Sequence, residues 1–256
     1  MKVFYFTGTG NSLAVAKRIG GELISIAQAK NEATKEYKDD VVGFVFPTYG
    51  CTVPKIVERF MGQVKIEAEY TFAIATYGNG KGQVLEIARQ IAKGNGYRFD
   101  YVNAVLMLDN CQPQFDIAKQ KAKLPAKKVD EQIAGIVADI KARKHQDMPS
   151  SFGDKAGTWI CKVLGMEKES YAQSYPKNYS VDENCIKCGT CAKVCPMGNI
   201  AVTDTVAFSD QCACCQSCIH ACPKHAIHFK HERNTERWRN PDVTLKELIQ
   251  ANCQNE

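Results

Sequence analysis

The chain has 256 residues, 45% of them hydrophobic and 24% charged, which is enough for one ordinary core and a smaller second domain. The longest apolar stretch, Tyr101 to Leu108, is far shorter than the roughly 20 residues that span a bilayer, and the apolar run from Val3 to Phe6 is too short for an export signal; we therefore expect a soluble, cytoplasmic protein without a membrane span. The formal net charge of +5 does not indicate a nucleic-acid partner, because bound anionic groups would cancel it.

The first part of the chain alternates strand-like and helix-like segments, which is typical of a parallel sheet covered by helices in an α/β domain. Five strands are predicted, at Lys2–Phe6, Leu23–Ile26, Val41–Phe46, Tyr70–Thr76 and Tyr101–Leu108. Helices are predicted at Ser12–Ile19, Pro54–Met61, Gln83–Ala92 and Lys127–Arg143. The connection from Ser25 to Asp40 is polar and short for a full crossover helix, so the topology is least constrained there.

The second part of the chain changes in composition after residue 147. We assign residues 1–147 to the α/β domain, 148–179 to an interdomain connector with a short helix at Gly157–Leu164, 180–231 to a cysteine-rich domain and 232–256 to a tail. Three connector tyrosines could pack between the domains or lie near a cofactor, and packing is the preferred interpretation: Tyr171, Tyr175 and Tyr179. In the tail, Thr244 and Glu247 form a capping box that predicts a helix to about Ala251, acting as a structural clasp.

Eight of the thirteen cysteines form two copies of one spacing, C-x2-C-x2-C-x3-C-P. The first copy is Cys185, Cys188, Cys191 and Cys195, and the second is Cys212, Cys215, Cys218 and Cys222. This run holds iron-sulfur clusters in bacterial ferredoxins, where the fourth cysteine binds the other cluster. One 4Fe-4S cluster is therefore assigned to Cys185, Cys188, Cys191 and Cys222, and the other to Cys212, Cys215, Cys218 and Cys195.

Paired cysteines also bind structural zinc, but a zinc site needs neither the third cysteine nor the proline of this pattern. Residues 180–231 resemble the bacterial-type two-cluster ferredoxin, which implies a small α+β domain. Cys214 lies inside the second copy without a role in its spacing. Four histidines flank the motif and are interpreted as surface residues: His220, His225, His228 and His231.

A glycine-containing loop follows the first strand and opens the first helix. It consists of Thr7, Gly8, Thr9, Gly10, Asn11 and Ser12. Its amides and the helix N-terminus can bind an anion, and its hydroxyls suit a terminal phosphate. The dinucleotide fingerprint G-x-G-x-x-G is not met, because Leu13 occupies the third glycine position. The loop resembles the T-G-T-G-N-T loop of flavodoxin, which implies FMN.

The flavodoxin resemblance implies a doubly wound five-stranded parallel sheet of order 2-1-3-4-5, with FMN at the carboxyl ends of the strands where the order reverses. Two further loops would then contribute: Pro47, Thr48, Tyr49 and Gly50, followed by Cys51, and Thr76, Tyr77, Gly78, Asn79 and Gly80. Tyr49 is the first candidate to stack on the flavin and Tyr77 the second. Both loops also read as ordinary turns.

Residues outside these loops carry weaker signals. Asn110 and Gln112, in the loop Asp109–Phe115, could reach the flavin or a bound partner. Cys51, Cys111, Cys161 and Cys253 are expected to be small buried hydrophobic residues. Of these, Cys51 and Cys111 follow strands, so either could contact a flavin.

The whole chain resembles flavodoxin-ferredoxin fusion proteins of anaerobic microbes. This resemblance implies FMN and two 4Fe-4S clusters that exchange single electrons with a soluble redox partner protein, which the sequence does not identify; it leaves a homodimer open. The bound groups, at about −2 for each cluster and about −1.5 to −2 for the flavin phosphate, would bring the net charge near neutral. Two alternatives remain open: an FMN-dependent reductase of a small organic acceptor, and a redox sensor.

Overall fold

The computed structural model describes residues 1–33 and 35–254. Thr34, in the polar connection, and the last two residues of the predicted tail lie outside the described residues. The strands are β1 (Lys2–Tyr5), β2 (Glu22–Ser25), β3 (Glu36–Lys38), β4 (Val41–Pro47), β5 (Lys65–Glu67), β6 (Tyr70–Tyr77), β7 (Tyr101–Leu106), β8 (Tyr179–Val181), β9 (Ile200–Val202), β10 (Val206–Phe208) and β11 (Ile227–Phe229).

The α-helices alternate with these strands in the first half and become short around the cysteines. They are α1 (Asn11–Ile19), α2 (Ile26–Ala29), α3 (Lys55–Met61), α4 (Val84–Gly94), α5 (Ile117–Lys123), α6 (Val129–Lys141), α7 (Phe152–Val163), α8 (Glu169–Ser174), α9 (Thr190–Lys193), α10 (Ser217–Ala221) and α11 (Leu245–Asn252). Two 3-10 turns lie at Pro125–Lys127 and Tyr175–Asn178. No helix among the described residues is long and apolar enough to cross a membrane.

Five of the strands form one parallel sheet in the order β2-β1-β4-β6-β7. If only these five strands are numbered along the chain, the order is 2-1-3-4-5, and it reverses between β1 and β4. The sheet with its covering helices fits a flavodoxin-like α/β fold. Because all five strands point the same way, their carboxyl ends meet at one edge, which is where ligands bind in sheets of this kind.

Alternating side chains of β1 bury against different helices, as the period of a strand requires. Phe4 and Phe6 belong to the core beneath α3 and α4. Val3 and Tyr5 belong to the core beneath α1, α6 and α11. The sheet is therefore covered on both faces, which explains why its strands read as nearly continuous apolar runs.

The structure adds elements that the sequence did not predict in the polar connection between β2 and β4. A single helical turn, α2, follows β2 directly, and β3 pairs in parallel with β5 as a separate two-stranded ribbon. Each strand of this ribbon has only three residues with one apolar side chain in the middle, Tyr37 or Ile66. Such a short segment carries no readable period.

The connector is also more ordered than predicted. Its first helix begins at Phe152 rather than at Gly157, because Ser151 and Asp154 form a reciprocal capping box. The ring contacts of the connector tyrosines are with the cysteine-rich region: the Tyr175 and Phe229 ring centroids are 4.8 Å apart, and Tyr179 packs edge-on against Phe208.

The cysteine-rich region folds around two antiparallel ribbons, β8 with β11 and β9 with β10. The tail helix α11 returns to the first domain, with the capping box on Thr244 and Glu247 that the sequence predicted. The side-chain amide of Asn252 donates to the carbonyl oxygen of Thr7 at 3.0 Å. The last helix thus supports the glycine loop from outside, in agreement with its interpretation as a clasp.

Candidate functional site

A cavity of about 530 Å³ opens at the carboxyl edge of the parallel sheet. Its wall consists of the loops after β1, β4, β6 and β7, the connector, and the second cysteine copy. All residues that the sequence singled out in the three candidate flavin loops line it except Gly10. The structure therefore brings the three loops together around one space, and it adds the cysteine-rich region to the same wall.

The glycine loop touches the second cysteine copy directly. A Cβ atom on Gly8 would lie 2.7 Å from the backbone oxygen of Cys215, closer than real Cβ contacts. Gly10 faces away from the cavity: it precedes α1 with a φ of 103° and packs against Asn240 and Val243. Glycine is thus required at position 8 by close approach and at position 10 by backbone conformation.

The polar side chains of this loop hold its shape. The Thr7 hydroxyl accepts from the Gly10 amide at 3.0 Å, and the Ser12 and Thr76 hydroxyls are 2.9 Å apart. The first amides of a helix have no intrahelical acceptor, and within the described part of the chain no side chain caps α1, so its N-terminus is suited to an anion.

The loop after β4 places Tyr49 between the sheet and the cysteines. Its ring packs edge-on against Phe6, with centroids 6.3 Å apart, and burial followed by the neighbouring Cys215 thiol raises the pKa of Tyr49 well above its ordinary value. The adjacent Thr48 hydroxyl is buried without a hydrogen-bond partner among the described residues. An unsatisfied hydroxyl on a cavity wall fits a polar ligand edge.

The loop after β6 contributes half-buried Tyr77 and meets the loop after β7. Gly78 lies so close to Asp109 that a Cβ atom would fall 2.2 Å from the Cβ of that acid, and the Lys127 ammonium donates to the Gly78 oxygen at 2.7 Å. Burial raises the pKa of Asp109. These contacts fix the third loop against the sheet edge.

Two expectations near this edge are wrong. Asn110 lines the cavity, but Gln112 does not. The side-chain amide of Gln112 donates to the backbone oxygen of Glu236 at 2.6 Å, and its backbone amide donates to the side-chain oxygen of Gln216. His220 is buried rather than at the surface, with Nε2 2.9 Å from the Asn110 oxygen and Nδ1 accepting from the Trp238 amide. Burial lowers the pKa of His220 to about 4. Both residues tie the two regions together.

The remaining histidines occupy different positions. His225 and His231 are exposed, as expected. His228 is half-buried between two acids, with Nε2 3.0 Å from Asp182 and Nδ1 2.8 Å from Glu232. The hydrogen bond with Glu232 is the main cause of a raised pKa at His228.

The first cysteine set borders a small separate cavity. Its wall includes Cys185, Cys188, Cys191 and Cys222, which are the four cysteines that the spacing assigns to one cluster. Burial raises the pKa of Cys191 to about 11, and the neighbouring Cys222 and Cys188 thiols add to the shift. A tetrathiolate donor set around a small space fits a 4Fe-4S cluster.

The second cysteine set lies deeper. Cys218 is 7% exposed, and burial followed by the nearby thiols of Cys215, Cys212 and Cys195 raises its pKa. These are the four members of the other assigned set. Among the described residues no three His, Cys, Asp or Glu side chains are placed to hold a single metal ion.

The two copies also share a backbone feature. The Asn199 amide donates to the Cys195 sulfur, and the Ala226 amide donates to the Cys222 sulfur, each at 3.3 Å. In both copies the donor lies four residues after the last cysteine of the motif. Equivalent N–H···S bonds support equivalent ligand roles, since such bonds tune cluster potentials.

The other cysteines are half-buried, not the buried hydrophobic residues expected from the sequence. Cys51, Cys111, Cys161 and Cys214 all line the large cavity. The connector also forms part of this wall. The sequence offered Tyr171 and Tyr175 as residues that could lie near a cofactor, and both line the cavity, but it did not predict Ile160, Met166 and Glu167 there.

Comparison with known proteins supports an iron-sulfur role for the cysteine-rich region. Residues 179–201 match the family described as "4Fe-4S binding domain". The chain is 43% identical over 65 residues to a polyferredoxin protein, MvhB, of Methanothermus fervidus, covering 25% of the chain and 13% of the relative. It is 44% identical over 48 residues to one component of an ion-translocating oxidoreductase complex of Methanosarcina acetivorans, covering 18% of each.

The chain spans less than a fifth of the length of these curated relatives. Among solved structures, a two-electron reduced flavodoxin of Megasphaera elsdenii is 18% identical, with a TM-score of 0.30 over 40% of this chain and 83% of that chain. The matched family supports 4Fe-4S cluster binding by the cysteine-rich region, and the parallel sheet has the strand order of a flavodoxin-like α/β fold.

Proposed function

We propose that the chain transfers electrons between an FMN held in the large cavity and two 4Fe-4S clusters, and acts as a redox adaptor for a soluble partner oxidoreductase. The observation that carries the proposal is the shared wall of the cavity. The glycine loop, Cys212 and Cys215 line the same space, and Gly8 contacts the Cys215 backbone.

The cavity is suited to a flavin mononucleotide by its volume and its polarity. About 530 Å³ falls within the range of ordinary cofactor pockets. The uncapped N-terminus of α1 would take the phosphate, Tyr49 or Tyr77 would stack on the ring, and the unpartnered Thr48 hydroxyl would bond its polar edge.

A flavin exchanges one or two electrons, whereas each cluster exchanges one. A chain that holds both can therefore couple two-electron transfer to one-electron transfer. The chain's own residues would position the groups and exclude water. Buried Gln112 and His220 join the two regions by hydrogen bonds, so the second cysteine set is held against the glycine loop. Cys188 of the first set is exposed and would give electrons an exit to the partner.

The test is an anaerobic reductive titration of the purified full chain. Iron, sulfide and flavin are first quantified, with about eight irons and about one flavin expected per chain. Flavin absorbance and cluster EPR are then followed together. We expect reduction of the flavin through the clusters when the electron donor is a protein too large to enter the cavity.

Two outcomes would contradict the proposal. If no flavin is bound after reconstitution with FMN, the chain cannot act as an adaptor between a flavin and the clusters. Rapid flavin reduction by the same protein donor in a chain that lacks both clusters would show that the clusters are not on the path. Steady turnover of a small organic acceptor without any protein carrier would favour the reductase instead.

A further inference from the structure

Cys51 occupies an unusual backbone position on the cavity wall. Tyr49 and Thr52 exchange two backbone hydrogen bonds of 3.1 Å, which closes a tight turn with Gly50 at φ 55° and Cys51 at φ 63°. The left-handed conformation favours glycine and costs a side-chain-bearing residue about 1 kcal/mol or more. The turn therefore holds the Cys51 side chain in one direction.

That direction is toward helix α7. A Cβ atom on Gly157 would lie 3.7 Å from the Cys51 sulfur, and the Thr158 hydroxyl donates to the Cys51 oxygen at 3.5 Å. Gly82 packs against both Cys51 and α7, since a Cβ atom there would fall 2.4 Å from the Cβ of Cys51 and 2.8 Å from the Thr158 hydroxyl. Small residues thus bring the cysteine backbone close to the helix.

Cys161 completes the arrangement from one helical turn further along α7. Side chains of a helix lean toward its N-terminus, so the Cys161 thiol lies over Gly157. Burial, followed by the neighbouring Cys161 thiol, raises the pKa of Cys51 to about 12. Both sulfur-bearing residues line the cavity and are half-buried.

Helix α7 has few other anchors among the described residues. Within Phe152–Val163 only Thr158 is buried, while Phe152 and Trp159 are 89% and 65% exposed. Beyond Thr158, the Lys81–Asp154 ion pair joins α7 to the sheet domain. A covalent bond at position 161 would therefore change how firmly this helix covers the cavity.

We propose that Cys51 and Cys161 form a reversible dithiol–disulfide site that reacts with small-molecule disulfides entering the cavity. One protein sulfur attacks a disulfide R–S–S–R and releases one R–SH; the second protein sulfur then displaces the other R–SH and forms the Cys51–Cys161 bond. Two electrons pass from the protein to R–S–S–R, and the two thiol protons leave with the released thiols.

The disulfide would join α7 covalently to the loop after β4 and so hold this helix over the cavity. This consequence for flavin retention rests on the proposed function, whereas the disulfide itself does not. Oxidation is then expected to slow FMN release several-fold, because the connector must open for the flavin to leave.

The test uses the full chain with its clusters, equilibrated without oxygen in buffers of reduced and oxidised glutathione at a series of ratios. Remaining thiols are blocked with iodoacetamide and the digest is mapped by mass spectrometry. We expect a Cys51–Cys161 linked peptide whose yield follows the glutathione ratio. Cys253→Ser, which changes a cysteine outside the cavity wall, keeps the link; Cys51→Ser and Cys161→Ser abolish it.

Failure to detect the linked peptide at any ratio, or bonding of either cysteine to another position in preference, would overturn the proposal. Should a serine variant fold poorly, the peptide map of the unaltered chain still decides. FMN release is timed separately by fluorescence: a linked chain without any FMN affinity would contradict the proposed function and leave the disulfide site standing.

Discussion

The two cysteine copies have the same spacing but differ at their second cysteine. In the first copy Cys188 is exposed, and nearby Ile186 is 58% exposed. The equivalent Cys215 of the second copy is half-buried, and its backbone abuts the glycine loop. The third cysteines, Cys191 and Cys218, are buried in both copies. The second cysteine therefore lies at the surface in one copy and at the junction between domains in the other.

In the proposed function, this difference gives the redox groups a spatial order: the flavin, then the cluster at the domain junction, then the cluster at the surface. A ligand set at the surface can meet another protein, whereas a set at the junction can meet only what lies in the cavity. The sequence motif alone treats the two copies alike, since both supply the same ligands. Single substitutions test this contrast between the copies.

The largest effect is expected from single ligand changes. Cys188→Ser should remove the surface cluster and retain flavin. Cys215→Ser should remove the junction cluster and also weaken flavin retention, because the backbone of Cys215 contacts Gly8. Iron analysis should show a fall from about eight to about four irons in each variant.

Flavin content measured on the same samples separates the two variants, and Cys253→Ser is the matched control. Equal flavin loss in both ligand variants would mean that the junction has no special relation to the cavity. Unchanged iron in either would contradict the ligand assignment.

A smaller effect is expected where the glycine loop meets the second copy. Gly8→Ala places a methyl group 2.7 Å from the Cys215 oxygen, and overpacking of this kind costs about 1–3 kcal/mol. We expect a lower urea midpoint and weaker FMN binding, with the surface cluster retained.

The control for Gly8→Ala is Gly135→Ala, where a Cβ atom meets nothing within 4 Å. In the middle of α6 this change should stabilise the chain by about 0.4–1 kcal/mol. Normal FMN affinity in Gly8→Ala would move the phosphate site away from this loop.

A few-fold effect is expected from charge at the first copy. Lys193 is exposed and acts electrostatically on Cys188, whose pKa is lowered mainly by the Thr190 hydroxyl. Lys193→Glu should slow oxidation of the reduced protein by ferricyanide, an anion, and the effect should fade at high salt.

The same charge reversal at Lys141, an exposed residue of α6, is the control for total charge. Stopped-flow oxidation at low and high ionic strength makes the comparison. Equal slowing by both variants would mean that the first copy is not the exit.

The sequence predicted those features that repeat or have a period. Five sheet strands, the helices between them and the capped tail helix all follow from local patterns of several residues. The four thiols of the first set line one small cavity, and the other three thiols of the second set raise the pKa of Cys218, but the pairing of the sets stays a prediction. Their roles as ligands stay predictions.

Features that depend on long-range packing could not be read in this way. Gln112 looks like a polar loop residue and His220 like a surface histidine, yet burial at the domain junction gives both their partners. The short ribbon of β3 and β5 and the connector's place on the cavity wall likewise arise from contacts between distant segments. No local pattern encodes such contacts.

The smallest expected effect concerns the tail helix α11, which supports the glycine loop through Asn252. Lys17 donates to Glu247 at 2.6 Å, and with the Thr244 cap this lowers the pKa of Glu247 to about 2. An acid with a lowered pKa stabilises the fold above its ordinary pKa of about 4.3, and this contribution is lost as the pH falls toward about 2.

Glu247→Gln should therefore destabilise α11 by about 0.5 kcal/mol at pH 7, the size expected of a largely solvated pair, and by almost nothing near pH 2. Hydrogen exchange of the peptide covering Leu245–Asn252, in both proteins from pH 7 downward, measures the difference. Glu183→Gln, in the exposed part of the first copy's region, controls for the loss of one charge. Protonation of Glu247 at low pH removes the charge that the Glu247→Gln variant lacks, so the difference in exchange between the unaltered chain and this variant should shrink. A difference that grows on acidification would contradict the sign of the pKa shift. Faster exchange in the first copy's peptides would show that the tail supports both halves of the molecule alike.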